Sequence, residues 1–403
     1  MANRVVITAS GVISPIGSTP DEINHFLKEK SPCFERLSFD EDISACSVSD
    51  FNLKDFTGRY KDARYLSRGA KLAVAAAMLA VKNAGLDNEL LKGAGIFTGA
   101  GPNLDISGES MTINNDGIVD EGLSALWILK FLPNTIASAI AKLTGIHGEN
   151  MTSGSACAAS LTALGEAYRK IKDGYLDIAL AGGGDSRLSP GGILAYKKAQ
   201  ALWVKKGNPE KEYVPFGVKR AGFIPGEGGA FFILESLESA NKRNANILGE
   251  ICGYSSSIDG YNMTAPLPDG KWAEKAVRSA LKEAGLQSEE IDLISAHGTG
   301  TVLNDEMEAR LINRVFSKKP PHVIALKSWI GHLASSCGAV ELGICLACLA
   351  SGYWPEIRNL ETTCNENVNF IKTPRSFLPE SVLLENFGFG GQNSTLVLKR
   401  WND

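Results

Sequence analysis

Histidine is scarce in this chain, cysteine is scattered, and no charge of one sign dominates. Only five histidines and eight cysteines occur in 403 residues, and too few of them cluster to build a zinc site. With 41 basic against 45 acidic residues the net charge is -4, so no global basic field recruits nucleic acid. No apolar stretch reaches the roughly 18 residues that cross a bilayer, which argues against a membrane-spanning chain. The cysteines lack the dense spacing of small secreted proteins, so no disulfide framework is expected and the chain reads as cytoplasmic, in a reducing compartment. The opening MANRVVITASGVISPIG has a short apolar run ended by Gly11 and Pro15, which reads as a strand and turn rather than a signal peptide. The glycine-rich stretches at Gly182 to Gly184 and Gly226 to Gly229 do not form GxGxxG, and Ser155 does not sit in GxSxG. A dinucleotide site and a serine-hydrolase elbow are therefore unsupported.

What is present is an ordinary globular balance, 44% hydrophobic and 21% charged, in a chain long enough for two domains. Short β-branched runs (VVITA, GIFTG, FFILE, IDLIS, HVIAL, STLVLKR) alternate with alanine-rich helical stretches, which predicts α/β layers with mostly buried strands. The segment AVKNAGL from Ala80 to Leu86 returns as ALKEAGL from Ala280 to Leu286, each leading into a strand and a glycine turn. A weaker echo sets CAASLTALGEAYRKIKDGY, opened by Cys157, beside GAVELGICLACLASGYW, opened by Gly338. Two related halves packed face to face are expected, 1–250 and 251–403. The second of these helices is apolar nearly all round and must be central, and its Cys345 and Cys348 read as buried thiols rather than a redox CxxC.

Cys157 follows small residues and precedes a helix-forming run, so its thiol sits at a helix start where the thiolate is favoured. Taken by itself, that segment suits a buried structural cysteine equally well. His297 lies in SAHGTGTVLNDEMEA and His332 in ALKSWIGHLASSCGAVEL, both in turns beyond strand ends, and two such histidines with a helix-start cysteine suggest nucleophilic chemistry. Lys327 and Glu341 are the only charges in LKSWIGHLASSCGAVELGI and are expected to pair, either to fix His332 or purely for the fold. The tail ENFGFGGQNSTLVLK sets glycines around Phe387 and Phe389, which suits either an oxyanion hole or a tight hairpin.

These four motifs, in this order, resemble the β-ketoacyl-acyl carrier protein synthases of the long-chain elongating type, and the likeness runs end to end through LPNTIASAIA, VPFGVKRAGFIPGEGGAFFILE and MTAPLPDG. The resemblance implies a thiolase-like α/β fold, two pseudo-symmetric halves forming a five-layered α/β/α/β/α body. It implies that Cys157 accepts an acyl chain and that the N–H groups of Cys157 and Phe389 hold the oxyanion. His297 and His332 would stabilise the enolate formed as malonyl thioester loses carbon dioxide. Thr299, Thr301 and Phe387 match substrate and pantetheine contacts, and Phe389 an acyl gate. Lys327 completes the catalytic group, with Glu341, Asp305 and Glu308 as structural support. No cofactor or metal is implied beyond the carrier's phosphopantetheine. The partners implied are an acyl carrier protein and a second subunit, identical or related. The charges of GRYKDARYLSRGAK, Arg59, Lys61, Arg64, Arg68 and Lys71, with Lys205 and Lys206 as a second pair, suggest a docking patch for an acidic carrier and suit a solvated helix face equally well. The chain departs from the family pattern at Ser336 and Cys337, at Glu385 where asparagine is common, at Gln392, and through PNLDISGESMTINNDGIVDEGL from Pro102 to Leu123. Two rivals are a non-catalytic chain-length factor, which lacks the nucleophile, and a coenzyme A thiolase, whose second cysteine near the C-terminus is not seen.

Overall fold

The computed structural model describes residues 2–105, 112–114, 117–119, 123–204 and 207–402. Half of the atypical segment 102–123, together with Lys205 and Lys206, therefore lies outside the described residues. The first half runs β1 (Val5–Ile13), α1 (Arg68–Ala84), β2 (Gly95–Gly99), β3 (Asn150–Ser153), α2 (Ala159–Lys172), β4 (Ile178–Ser186) and β5 (Glu227–Ser236). The second runs β6 (Gly249–Ile258), α3 (Lys271–Ala284), β7 (Leu293–Ser295), α4 (Val302–Val315), β8 (His322–Ile324), α5 (Cys337–Ser351), β9 (Ser381–Gly388) and β10 (Gln392–Lys399).

The two halves share one topology. The first orders its strands β3-β2-β4-β5-β1 and the second β8-β7-β9-β10-β6. In each, three strands are parallel and the last two antiparallel. A short antiparallel pairing of β1 with β6 joins them into one ten-stranded sheet. The AGL repeat marks equivalent helix ends: α1 and α3 each stop at a glycine in the left-handed region, Gly85 and Gly285, which closes the last turn without a Cβ clash.

Layering follows from which faces are apolar. Strands β4 and β5 are buried along almost their whole length, as strands covered on both faces must be. The alanine-rich α1 covers β1, β4 and β5 from outside. It comes so close that a Cβ on Gly11 would stand 2.1 Å from the Ala76 carbonyl oxygen. Helices α2 and α5 lie against each other between the two halves, and α3 covers β6 and β10 on the far side. That is the five-layered order expected. With its preceding turn, α5 spans Ala334–Ser351, long and apolar enough by composition to cross a membrane; 89% of that stretch is buried inside the protein. The expectation that no such stretch exists is thus corrected, and its burial makes it the core helix.

Two further expectations change. The central echo pairs differently, because α2 and α5 are each preceded by a single 3-10 turn, Ala156–Ala158 and Ala334–Ser336. Cys157 is therefore equivalent to Ser335, not to Gly338. Cys33 and Cys46 are joined by a disulfide, while the other six cysteines are free. A hairpin of Glu35–Leu37 and Asp40–Ala45 pairs Glu35 with Ala45, which brings the two flanking cysteines together. A separation of 13 residues carried no such signal in the sequence.

Candidate active site

The equivalent turns that start α2 and α5 each hold a non-glycine residue at positive φ, Ala156 at 48° and Ala334 at 50°. A left-handed alanine is strained, and such strain persists only where the surroundings fix it. Here it turns Cys157 out of the strand-to-helix corner into a cavity of about 690 Å³. His297, His332, Thr299, Thr301, Phe387 and Phe389 line the same cavity. Residues from both halves thus converge on one thiol.

The tail strand completes the nucleophile's surroundings. The Phe389 N–H donates to the Cys157 sulfur. A Cβ on Gly388 would lie 2.9 Å from the Cys157 nitrogen and 3.1 Å from the Ser155 carbonyl oxygen, so only glycine lets these two backbones close on each other. Burial pushes the Cys157 thiol up to about 11, against the downward pull of the Lys327 ammonium and the Phe389 N–H. The expected lowering of this thiol is therefore not found: desolvation outweighs the positive surroundings.

The two histidines are neutral for a related reason. Burial, then the Lys327 charge, pushes His332 down to about 3. Burial, Lys327 and His332 hold His297 well below its ordinary value. The rings stand 5.6 Å apart and nearly perpendicular. His332 Nδ1 accepts the Ala334 N–H at 2.9 Å, which leaves its proton on Nε2 as a donor. Glu308 holds the His297 turn by accepting the His297 N–H at 2.6 Å and the Gly298 N–H at 2.9 Å. Asp305 accepts the Gly300 N–H at 3.1 Å and the Phe216 N–H at 2.7 Å. The Thr299 and Thr301 hydroxyls are 2.9 Å apart.

Lys327 and Glu341 meet at 2.6 Å with side chains 0% and 1% exposed, and Asn386 donates to the other Glu341 oxygen at 2.9 Å. Burial alone would lower Lys327; Glu341 and the Cys337 thiol outweigh it and hold the ammonium charged. No hydrogen bond joins Lys327 to His332 among the described residues, so the influence of the pair on that ring is electrostatic.

The expected docking cations divide. Arg59, Lys61 and Arg64 are exposed. Arg68 is exposed as well, but its guanidinium grips the buried Glu227 at 2.7 Å and donates to the Val48 carbonyl, so it is tied to the fold rather than free to dock. Lys71 is half-buried and lowered by burial, Arg68 and Lys130. None of the five lines the cavity.

Sequence reasoning missed a buried charge pair there. Arg187 and Asp185, 4% and 6% exposed, meet at 2.9 Å. Arg187 also donates to the Pro102 carbonyl, and Asp185 takes the Ser335 hydroxyl at 2.7 Å. The available signal was two opposite charges closing the otherwise apolar run DIALAGGGDSR.

A doubled thiolase-like fold with a cysteine facing two neutral histidines at the junction of its halves defines a condensing enzyme. Comparison with known proteins gives the family. The beta-ketoacyl synthase N-terminal domain family matches residues 2–240 and its C-terminal domain family residues 248–361, and the chain belongs to the beta-ketoacyl synthases. It is 34% identical to the 3-oxoacyl-[acyl-carrier-protein] synthase 2 of Synechocystis sp., over 99% of this chain and 98% of that one. Among solved structures it resembles the ishigamide ketosynthase/chain length factor, with a TM-score of 0.88 and 29% identity over 100% of both chains. It also resembles the ketosynthase of the AntDE:AntF complex with a type II PKS acyl-carrier protein, with a TM-score of 0.85 and 25% identity over 100% of both. The chain is thus a condensing acyltransferase of fatty acid or polyketide elongation.

Proposed function

We propose that Cys157 carries the growing acyl group and that His297 and His332 drive decarboxylation of a malonyl unit delivered on an acyl carrier protein. One observation carries this reading: two buried, neutral imidazoles face the cavity that holds the nucleophile. In the first half-reaction the Cys157 sulfur attacks the incoming thioester, the N–H groups of Cys157 and Phe389 hold the oxyanion, and the carbon–sulfur bond to pantetheine breaks so that its thiol leaves with the proton Cys157 gave up. In the second, the malonyl carbonyl takes hydrogen bonds from the two rings. Loss of carbon dioxide leaves an enolate whose charge these donors stabilise; its carbon attacks the acyl–Cys157 thioester, the bond to the Cys157 sulfur breaks to free that cysteine, and the lengthened β-keto chain stays on the carrier. No strong base is needed. Neutral donors suit this step because they do not surrender a proton to the enolate.

Thr299 and Thr301 present hydroxyls toward the pantetheine arm, and Phe389, half-buried at the end of β9, gates the acyl chain. Glu308 and Asp305 act from behind by holding the His297 turn, and the Lys327–Glu341 pair acts through its charge. Exposed Arg59, Lys61 and Arg64 receive the acidic carrier. A second subunit pairs along β3, whose outer edge has no partner strand among the described residues and is half-buried; an open edge beside an active-site turn is a natural place for a partner strand.

The test separates the half-reactions. Cys157→Ala is expected to lose acylation yet release carbon dioxide from malonyl carrier protein. His297→Ala and His332→Ala should lose that release by about 100-fold or more while still acylating Cys157. Loss of release in Cys157→Ala with release intact in His297→Ala would reverse the roles.

A further inference from the structure

Glu385 is a fully buried carboxyl that the condensation scheme does not use. It sits in the middle of β9, opposite Thr395 of β10, is 0% exposed, and receives no hydrogen bond on either oxygen among the described residues. A buried carboxylate without donors is untenable, whereas a buried carboxylic acid needs only one acceptor. That acceptor is at hand: β7 runs parallel to β9 with Ser295 opposite Leu384, which sets Glu385 beside the turn that Glu308 holds, and Glu308 is the neighbouring carboxyl that acts on it.

The two carboxyls are not alike. Glu308 already accepts three N–H donors, from His297 at 2.6 Å, Gly298 at 2.9 Å and Asn304 at 3.0 Å, and such donors favour its charged form. Glu385 has none, so the proton belongs on Glu385. We infer that Glu385 is a positioning residue, a neutral carboxylic acid whose O–H donates to Glu308 and thereby holds the turn that aims His297. This rests on the proposed role of His297 and adds a residue to its support.

The surrounding groups agree in direction. Burial, then the neighbouring Glu308, pushes Glu385 well above its ordinary value. Burial and the Asp305 charge raise Glu308, against the N–H donors and Lys327. Glu341 on α5 is neutralised by Lys327. The Cys345 thiol is raised by burial, and the Thr395 hydroxyl carries no charge. The pair therefore holds one proton beyond the ordinary carboxylate range and loses it as pH rises, after which two carboxylates repel behind His297. Because the folded pKa is raised, stability conferred by the bound proton is present at low pH and lost on the alkaline side.

The experiment compares parent, Glu385→Gln and Glu385→Leu from pH 6 to 10 by thermal unfolding, by carboxyl-region infrared difference spectra, and by carbon dioxide release from malonyl carrier protein. Glu385→Gln should match the parent within about threefold at pH 7, lose the parent's alkaline fall in both melting temperature and release, and lack a protonated-carboxyl band that the parent shows. Glu385→Leu should fold and lose release by roughly 10- to 100-fold, the scale set by misplacing a catalytic group. The inference is overturned if Glu385→Gln follows the parent's pH profiles, if the parent shows no protonated carboxyl band, or if elemental analysis finds one tightly held monovalent cation per chain whose removal reproduces the loss. Melting and infrared readouts judge the pair even if malonyl decarboxylation proves not to be the reaction, since neither depends on turnover.

Discussion

Replacing Lys327 by methionine tests how one buried charge sets both the fold and the chemistry. The ammonium lies 2.6 Å from Glu341, and neither side chain meets water. Removing it strands Glu341 with Asn386 as its remaining partner. Breaking a buried pair on one side costs about 3–5 kcal/mol, whereas replacing both partners by neutral groups is often close to neutral. Lys327→Met should therefore unfold at much lower urea, and Lys327→Met with Glu341→Gln should recover most of that loss. Recovery separates fold from chemistry. Lys327 is also the charge that pulls down the Cys157 thiol and the two histidines. In the double variant the thiol should ionise only above the parent's midpoint of about 11, and acylation at pH 8 should slow accordingly. Urea titration and the pH dependence of Cys157 alkylation, mapped by peptide, measure the two effects. In the parent the alkylation rate should climb about tenfold per pH unit through pH 10. A plateau by pH 8, or a double variant with unchanged alkylation midpoint, would refute the reasoning.

Other outcomes follow from single contacts. Gly388→Ala should cut acylation strongly while leaving carbon dioxide release closer to the parent, because the new Cβ presses on the Cys157 nitrogen and not on the histidines; single-turnover acylation reads this. Between pH 6.5 and 3 the buried neutral histidines should make the protein less stable as pH falls, since the unfolded rings take up protons that the folded rings refuse. Carbon dioxide release should accordingly show no acid limb near pH 6.5. Reversing Lys61 and Arg64 to glutamate should weaken carrier affinity and flatten its salt dependence with little change in melting temperature. Arg68→Glu should instead lower the melting temperature, because Glu227 is 4% exposed and loses its partner. Equal melting temperatures for the two would undo that division of the patch.

Much of the site was legible because its residues fall in short local motifs. Cys157, His297 and His332 each sit in a turn whose position, beyond a strand or before a helix, the residue pattern reveals. The doubled fold was legible through AVKNAGL and ALKEAGL, which end equivalent helices at Gly85 and Gly285. The pairing of Lys327 with Glu341 followed from two charges in an apolar context.

What the sequence determined by itself was therefore local: element type, the strand-end turns, the repeat, and the order of motifs along the chain. The tertiary structure decided whatever depends on groups distant in sequence sharing one dry space. The Cys157 thiol is raised rather than lowered because desolvation at the junction of two halves exceeds the pull of Lys327, 170 residues away. Cys33 meets Cys46 because a hairpin register aligns them. Arg68 leaves the docking patch for Glu227, and Glu385 faces Glu308 across two elements. Charge and burial are sums over neighbours in space, and only the folded chain says which neighbours those are.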